Sequence, residues 1–472
     1  MISGKQTGRN TLLFYGVLFL ALFGGICMAG FNGLYGQDSY EYARYANEWR
    51  EFFLQGKAPG DYFWPLLYPI LGGFLSLLIP VQYALQIVSV ASLTASCWLL
   101  EKTLRRQFAV SIQTSRMYAV LFLLLSPFVL RAGLTDMSDL LATFFVILSW
   151  YCFIVLGQIY TRKHTFLFTL AASAAVMTRY ACALLVLVPA IIVVYRSLKH
   201  LRLTDYLVLL LILSLISLPH FAIRHSKPFA FLATDWMQEW SPMNFFLTSF
   251  KNGNGHYSYQ VQNIVYAFLS FFHPGFLFCG FILVFFRNKI QLKDPLTKTL
   301  LLSISLYCLF LAGIPFQNMR FLIPAFPLFL LFFFPVYPEL ISKLNVTPRL
   351  FVAGVIVIQI GLFTRAFIPF YKANSEERSI AQACTKLPPG SIYTFSINGA
   401  LNFYGIVLQK DNLWDKKLDT LQKNSFLLFN LHSFEKEYTG LNPMINYEFI
   451  RSHSDLHEMK QLPGGWTLYE IR

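Results

Sequence analysis

Residues 11–31 read TLLFYGVLFLALFGGICMAGF, and after four more residues the chain turns polar: Gly36, Gln37, Asp38, Ser39, Tyr40, Glu41, Tyr42, Ala43, Arg44, Tyr45. The first stretch carries no charge and matches the roughly 20 residues a helix needs to cross a bilayer. In hydrocarbon every backbone polar group must be satisfied inside its own segment, so such a run folds as a helix. The alternation of an apolar run with a short polar link recurs along the chain. Across the 472 residues 56% are hydrophobic, 17% aromatic and 13% charged, where about 25% charged is usual for a soluble domain. That composition excludes a water-soluble globule, and it is too hydrophobic for a disordered chain. Six of the seven cysteines lie inside apolar runs and only Cys384 sits in a polar region, which argues against a disulfide framework.

Eleven spans are expected, over residues 11–31, 83–100, 117–130, 137–157, 166–178, 180–195, 205–222, 262–286, 299–315, 321–337 and 350–367. The first is too long for a secretory leader and lacks a small-residue cleavage site. Residues 63–79, with Trp64, Pro65, Pro69 and Pro80 in or beside them, are a twelfth candidate. Charge settles it. If this segment only dips into the outer face, one side of the membrane collects seventeen basic residues against four acidic ones, while the other, up to residue 349, balances nine against nine. Lys and Arg flank cytoplasmic helix ends, so the amino terminus is expected inside and the carboxyl-terminal segment outside. The formal charge of +14 is then a topology signal. It is no nucleic-acid footprint, because the basic residues are scattered over short loops.

Three outer segments hold the polar content: 32–82, 223–261 and the tail from 368 to 472. In the tail, β-prone runs at Ser391–Ser396 and Ser425–Asn430 predict a small α/β domain. Asp38 with Glu41 reads as a helix start, and its plain interpretation is a cap. The functional interpretation makes Asp38 a general base at the rim of the membrane. A second acidic start, Thr135, Asp136, Met137, Ser138, Asp139, lies on the same face, close to Arg131. Arg179 interrupts an apolar region as the polar link between two spans, and Arg320 does nearly the same. Ionisable groups at such depth are costly and mark substrate paths, although snorkelling is the bland alternative. An acid pair facing arginines suits transfer from a lipid-linked phosphate, since guanidinium forks match phosphate oxygens.

The order of these segments resembles that of the GT-C class of polytopic glycosyltransferases, in particular bacterial relatives of protein O-mannosyltransferases and lipid A aminoarabinose transferases. The likeness rests on Asp38, on Trp64–Pro69, on Ser126–Met137, on the Thr178–Arg179 step and on Arg320–Pro327. It implies an α-helical polytopic membrane protein with a transmembrane catalytic portion, 1–367, and a small exoplasmic α/β domain, 368–472. It also implies transfer of a hexosyl or pentosyl group from a polyprenyl-phosphate donor to a lipid, glycan or protein acceptor at the outer face of a bacterial inner membrane, with inversion. By the same resemblance Asp38 and Asp136 are the catalytic acids, and Glu41, Arg44, Arg131, Asp139, Arg179, Arg320 and His256 are candidates for binding substrate. Ser39 stands where the protein-modifying branch places a second acid, which weakens a protein acceptor. Some relatives hold a divalent metal; Glu41, Glu48 or His256 could supply a ligand, but no paired metal spacing is present. Two rival classes are a surface-polysaccharide polymerase or ligase and a lipid-linked sugar flippase. The first concentrates its chemistry in a late outer loop, and the second commonly shows paired halves that are not seen in this sequence.

Overall fold

A computed structural model describes residues 2–224, 229–253, 255–277, 292–343, 348–422 and 424–472. The membrane portion is built from α1 (Ile2–Met28), α2 (Gly36–Gln55), α3 (Leu67–Leu75), α4 (Val81–Phe108), α5 (Ile112–Tyr118), α6 (Pro127–Leu134), α7 (Asp139–Gln158), α8 (Arg162–Thr178), α9 (Cys182–Ser197), α10 (Leu203–Ile223), α11 (Pro295–Gly313) and α12 (Pro348–Cys384). Among the described residues seven helices are long and apolar enough to cross a membrane, or eight if one bent pair is counted as a single span. The chain is thus a polytopic integral membrane protein.

Among the described residues at most eight of the eleven expected spans have the length of a crossing helix. Seven of the expected runs coincide with the seven long helices. The run at 117–130 is the bent pair, Ile112–Leu124 and Pro127–Leu134, turned by 73°. Pro127 explains the turn: it has no N–H to donate into the preceding helix and it disfavours α conformation at Ser126. The runs at 166–178 and 180–195 are helices α8 and α9, of 17 and 16 residues, parted by extended backbone at Arg179. The run at 262–286 begins with short turns, Asn263–Ala267, Leu269–Phe272 and Pro274–Phe276, and from residue 278 lies outside the described residues. In the disputed segment, α3 has nine residues, about 13 Å of helix at 1.5 Å per residue, too short to span.

Burial sorts the helices by position. Helices α4 and α7 bury 72% of their apolar windows, whereas α10 and α12 bury 6%. The outer helices therefore present continuous apolar faces, with Leu12, Leu20, Leu207, Leu211 and Ile360 all more than half exposed. A solvent of lipid tails tolerates that surface, and water does not. At the core α7 places Trp150 against α9, its indole N–H donating to Leu185 O at 3.1 Å. At one end of the bundle the buried Glu101 of α4 accepts from Tyr15 Oη at 3.0 Å and Arg116 Nε at 2.9 Å, tying α1 and α5 to α4.

Beyond the helical bundle the described residues form two sheets. Strands β1 (Ser249–Asn252) and β2 (Gly255–Ser258) form a hairpin. In the tail, β3 (Ser391–Thr394), β4 (Gln409–Asn412), β5 (Ser425–Phe429), β6 (Leu456–Leu462) and β7 (Trp466–Ile471) make one sheet in the order β4-β3-β5-β7-β6. Strand β3 runs parallel to β4 and β5, and β7 runs antiparallel to β5 and β6. Helix α12 does not stop at residue 367 but continues to Cys384, so the first polar turns after 367 are helix. With 37 residues it is about 55 Å long, well beyond a hydrocarbon core of about 30 Å.

Candidate active site

Four chain segments meet at one end of α7. Helix α2 begins at Gly36, after Tyr35 in extended conformation, and neither Asp38 nor any other side chain caps it in the usual way. Instead the hydroxyl of Ser39 accepts from Tyr35 N–H at 2.6 Å. The expectation that Asp38 serves as a cap therefore fails, and its carboxylate is left for other work. Asp38 Oδ2 accepts from Arg320 Nη1 at 2.7 Å. Arg320 Nε donates to Asp139 Oδ2 at 3.0 Å, and Arg179 donates to the other oxygen of Asp139. Two acids and two arginines thus form an unbroken chain, Asp38–Arg320–Asp139–Arg179.

Local sequence explains each placement. Asp139 is the first residue of α7, which points its carboxylate into the space beyond the helix. Arg179 terminates α8 in an extended conformation, with its N–H on Ala175 O. Arg320 opens a tight helical turn, Met319–Ala325, where Asn318 Oδ1 accepts from the Arg320 N–H at 3.0 Å. Burial then separates the two acids by role: the Asp139 side chain is 0% exposed, Asp38 is 41% exposed, and the arginines are near 15%. Burial works against the charge on Arg179, yet the adjoining Asp139 carboxylate more than offsets it and holds Arg179 above its ordinary pKa.

Asp38, Arg179 and Arg320 line a cavity of about 490 Å³ with Gln37, Tyr42, Ser138, Trp64, Trp236, Tyr257, Tyr307 and Asn318, while Asp139 lies buried behind the arginines. Tyr42 and Ser138 hydrogen-bond at 2.8 Å. One turn of helix separates Asp38 from Tyr42, and residues four apart share a face, so this neighbour was available from spacing. Nothing in an aromatic-rich sequence singled out Tyr257, Trp236 or Tyr307.

The remaining expected residues lie elsewhere. Asp136 is fully buried and does not line the cavity; it sits beneath the backbone of Gly33, whose O accepts from the Asp136 N–H at 2.9 Å. Gly33 has φ +83°, and a Cβ there would collide with the Asp136 carboxylate. Among the described residues neither oxygen of that carboxylate has a hydrogen-bond partner. Burial pushes its pKa well above the usual carboxylate range. Glu41 and Arg44 pair at 2.8 Å and line a second, adjacent cavity. Arg131 lies against the ring of Phe370, 4.2 Å from its centroid, and does not line the cavity. His256 stands on β2 opposite Lys251 and does not line the cavity, although its neighbour Tyr257 does.

Among the described residues no group of three or more His, Cys, Asp or Glu side chains is placed to hold a metal ion. Glu41 and Glu48, the expected carboxylate ligands, are both held by Arg44. The two carboxylates expected to hold a metal are thus taken by an arginine.

Sequence reading missed the role of α12. Asn374 Nδ2 donates to Asn32 Oδ1 at 2.6 Å and Leu34 O at 2.8 Å. One turn later the Glu377 carboxylate accepts from Gly36 N–H at 3.2 Å and Tyr40 Oη at 2.9 Å. The strut therefore grips the loop before α2 and the turn that carries Asp38.

No protein-family model matches the chain, and no curated protein matches it. Solved structures do. ArnT from Cupriavidus metallidurans, in a crystal structure bound to undecaprenyl phosphate, matches with TM-score 0.63 and 13% identity over 97% of each chain. The same protein in its apo state matches with TM-score 0.58 and 12% identity over 98% of each chain. The chain therefore has the ArnT fold along nearly its whole length, and the resemblance to polytopic GT-C glycosyltransferases drawn from its motifs holds at the level of the fold.

Proposed function

We propose that the chain is a glycosyltransferase that moves a sugar from a polyprenyl-phosphate donor to an acceptor at the outer membrane face, with inversion and with Asp38 as general base. One observation carries this reading: the accessible Asp38 shares Arg320 with the buried Asp139 at the wall of a cavity, in a fold shared with a protein crystallised on undecaprenyl phosphate. The acceptor hydroxyl gives its proton to Asp38 while its oxygen bonds to the anomeric carbon. The bond from that carbon to the phosphate oxygen breaks, and the electron pair leaves with the polyprenyl phosphate.

The ion chain couples these events. As Asp38 takes the proton its negative charge vanishes, and Arg320 turns more of its field toward the phosphate that is gaining charge. A fixed cation aimed at developing charge in a site shielded from water stabilises the transition state. Asp139 keeps both guanidiniums in place throughout. Asp136 and Arg131 supply packing in this scheme, not proton transfer or phosphate contact.

The test is transfer from purified polyprenyl-phosphate sugars by full-length protein in detergent, with lipid analysis of a deletion strain to name the donor. Asp38→Asn is expected to bind donor and not transfer. Normal turnover by that variant sinks the assignment. Transfer by the purified protein in detergent, where no two membrane faces exist, favours a transferase over a flippase.

A further inference from the structure

Beside the ion chain lies a second cavity of about 460 Å³, lined by Glu41, Arg44, Asp61, Tyr62, Trp64 and Arg224, with Phe63. Phe63 and Trp64 line both cavities and form the wall between them. We infer that this second cavity is a subsite for a neutral sugar ring, the part of the acceptor that precedes its reacting hydroxyl; its role as acceptor site, though not its sugar binding, rests on the transferase reading.

The walls are built and held. Arg44 donates to Glu41 at 2.9 Å and to Glu48, and it reaches Asp61 O at 3.4 Å. Glu48 accepts from Gly60 N–H at 2.8 Å. These bonds fasten the loop that carries Asp61, Tyr62 and Trp64 to α2. Tyr62 stacks on Tyr45 with centroids 3.9 Å apart, and Trp64 packs on Tyr42 and Tyr62.

Arg224 is the group that calls for a ligand. It is 5% exposed, and its Nη2 donates to the carbonyls of Tyr62 and Trp64. Its Nε and Nη1 have no hydrogen-bond partner among the described residues. A buried guanidinium with idle donors carries a free-energy penalty that an acceptor atom would relieve.

Charge decides which acceptor. Among the described residues Arg44 and Arg224 face Glu41 and Asp61 across the cavity, and Glu48, outside its lining, pairs with Arg44, so the set carries an excess of one negative charge. An anion arriving at Arg224 would meet that excess. A hydroxyl group would not, because it accepts from Arg224 with its lone pairs and donates to a carboxylate with its proton. A ring carrying several hydroxyls can bridge Arg224 and Asp61 at once, while its apolar face rests on Trp64 or Tyr62. Mixed aromatic and polar linings of this size suit small ligands.

The experiment is saturation-transfer NMR on the full-length protein in detergent, with methyl glucoside, methyl galactoside, methyl mannoside and methyl N-acetylglucosaminide as neutral probes and glucuronate as the charged one. At least one neutral probe is expected to bind. Arg224→Gln should weaken it about tenfold or more, the usual effect of losing hydrogen bonds to a buried charged group. Because Arg224 also anchors two carbonyls, its loss could disturb folding; Asp61→Ala, at an exposed position, is the second variant and should weaken the same probe severalfold. Failure of every neutral probe overturns the inference. So does tighter binding of glucuronate, or neutral binding that both substitutions leave unchanged. No donor lipid is present in the assay, so a negative result leaves the transferase reading standing, and loss of that reading leaves a sugar site that still binds.

Discussion

Replacing Asp139 should damage the protein more than replacing either arginine it holds. Its carboxylate is wholly buried and accepts from Arg179 on one oxygen and Arg320 on the other. In Asp139→Asn two buried guanidiniums face each other with only Asp38 to balance them. Removing one member of a buried ion pair costs about 3–5 kcal/mol, because the partner is left charged and unpaired. Arg179→Gln is milder, at about 1.5–3 kcal/mol, since Asp139 keeps its bond to Arg320. The double variant restores neutrality and should cost less than the sum of the singles by about 2 kcal/mol. Equilibrium unfolding in mixed micelles, followed by tryptophan fluorescence, measures all four proteins. Additivity within about 0.5 kcal/mol would refute the claim that the three side chains act as one electrostatic unit.

Other expectations concern the same neighbourhood. Asp38→Asn should lower the turnover number by about 10²–10⁴, the usual contribution of a general base, with donor affinity retained; a loss confined to donor affinity would contradict the assignment. Asp136→Asn should leave transfer intact, and its effect on stability should depend on pH. Burial raises the folded-state pKa of Asp136, so its contribution is full below the unfolded value and declines as pH rises through the folded one. Melting curves should therefore favour the Asn variant increasingly as the medium becomes alkaline, and parallel curves for the two proteins at all pH would be the contrary result. Glu377→Ala removes the acceptor for Gly36 N–H and Tyr40 Oη and should reduce turnover more than Glu377→Gln; equal turnover in wild type and both variants would show that the grip on α2 is irrelevant to the chemistry.

The apolar runs were legible because a helix in lipid has few alternatives, and seven of them became long helices. Residues at the ends of those helices were harder. Asp136 and Asp139 are three positions apart and look equivalent in the sequence, but the helix begins only at Asp139. Helical periodicity says nothing about where Asp136 points in the preceding turn, and the loop at Gly33 covers it. Asp38 and Glu41 would share a helix face by spacing, yet Arg320 draws one side chain and Arg44 the other. Arg320 lies 282 residues from Asp38, and no local pattern reports a pairing across that distance. The arginines themselves stood out, because an ionisable group in an apolar setting is rare enough to notice without a partner in view. Arg224 was passed over for the opposite reason: it follows a long apolar run, where a basic residue reads as an ordinary flank.

The grip of α12 on the start of α2 has a mechanical consequence. One unbroken rod leaves the bilayer, clasps the segment bearing Asp38 through Asn374 and Glu377, and goes on toward the carboxyl-terminal sheet. A binding event on the sheet is expected to reach the turn that carries Asp38 along that rod and through these hydrogen bonds. Shortening the tail would consequently detune the membrane-embedded chemistry instead of merely trimming an appendage.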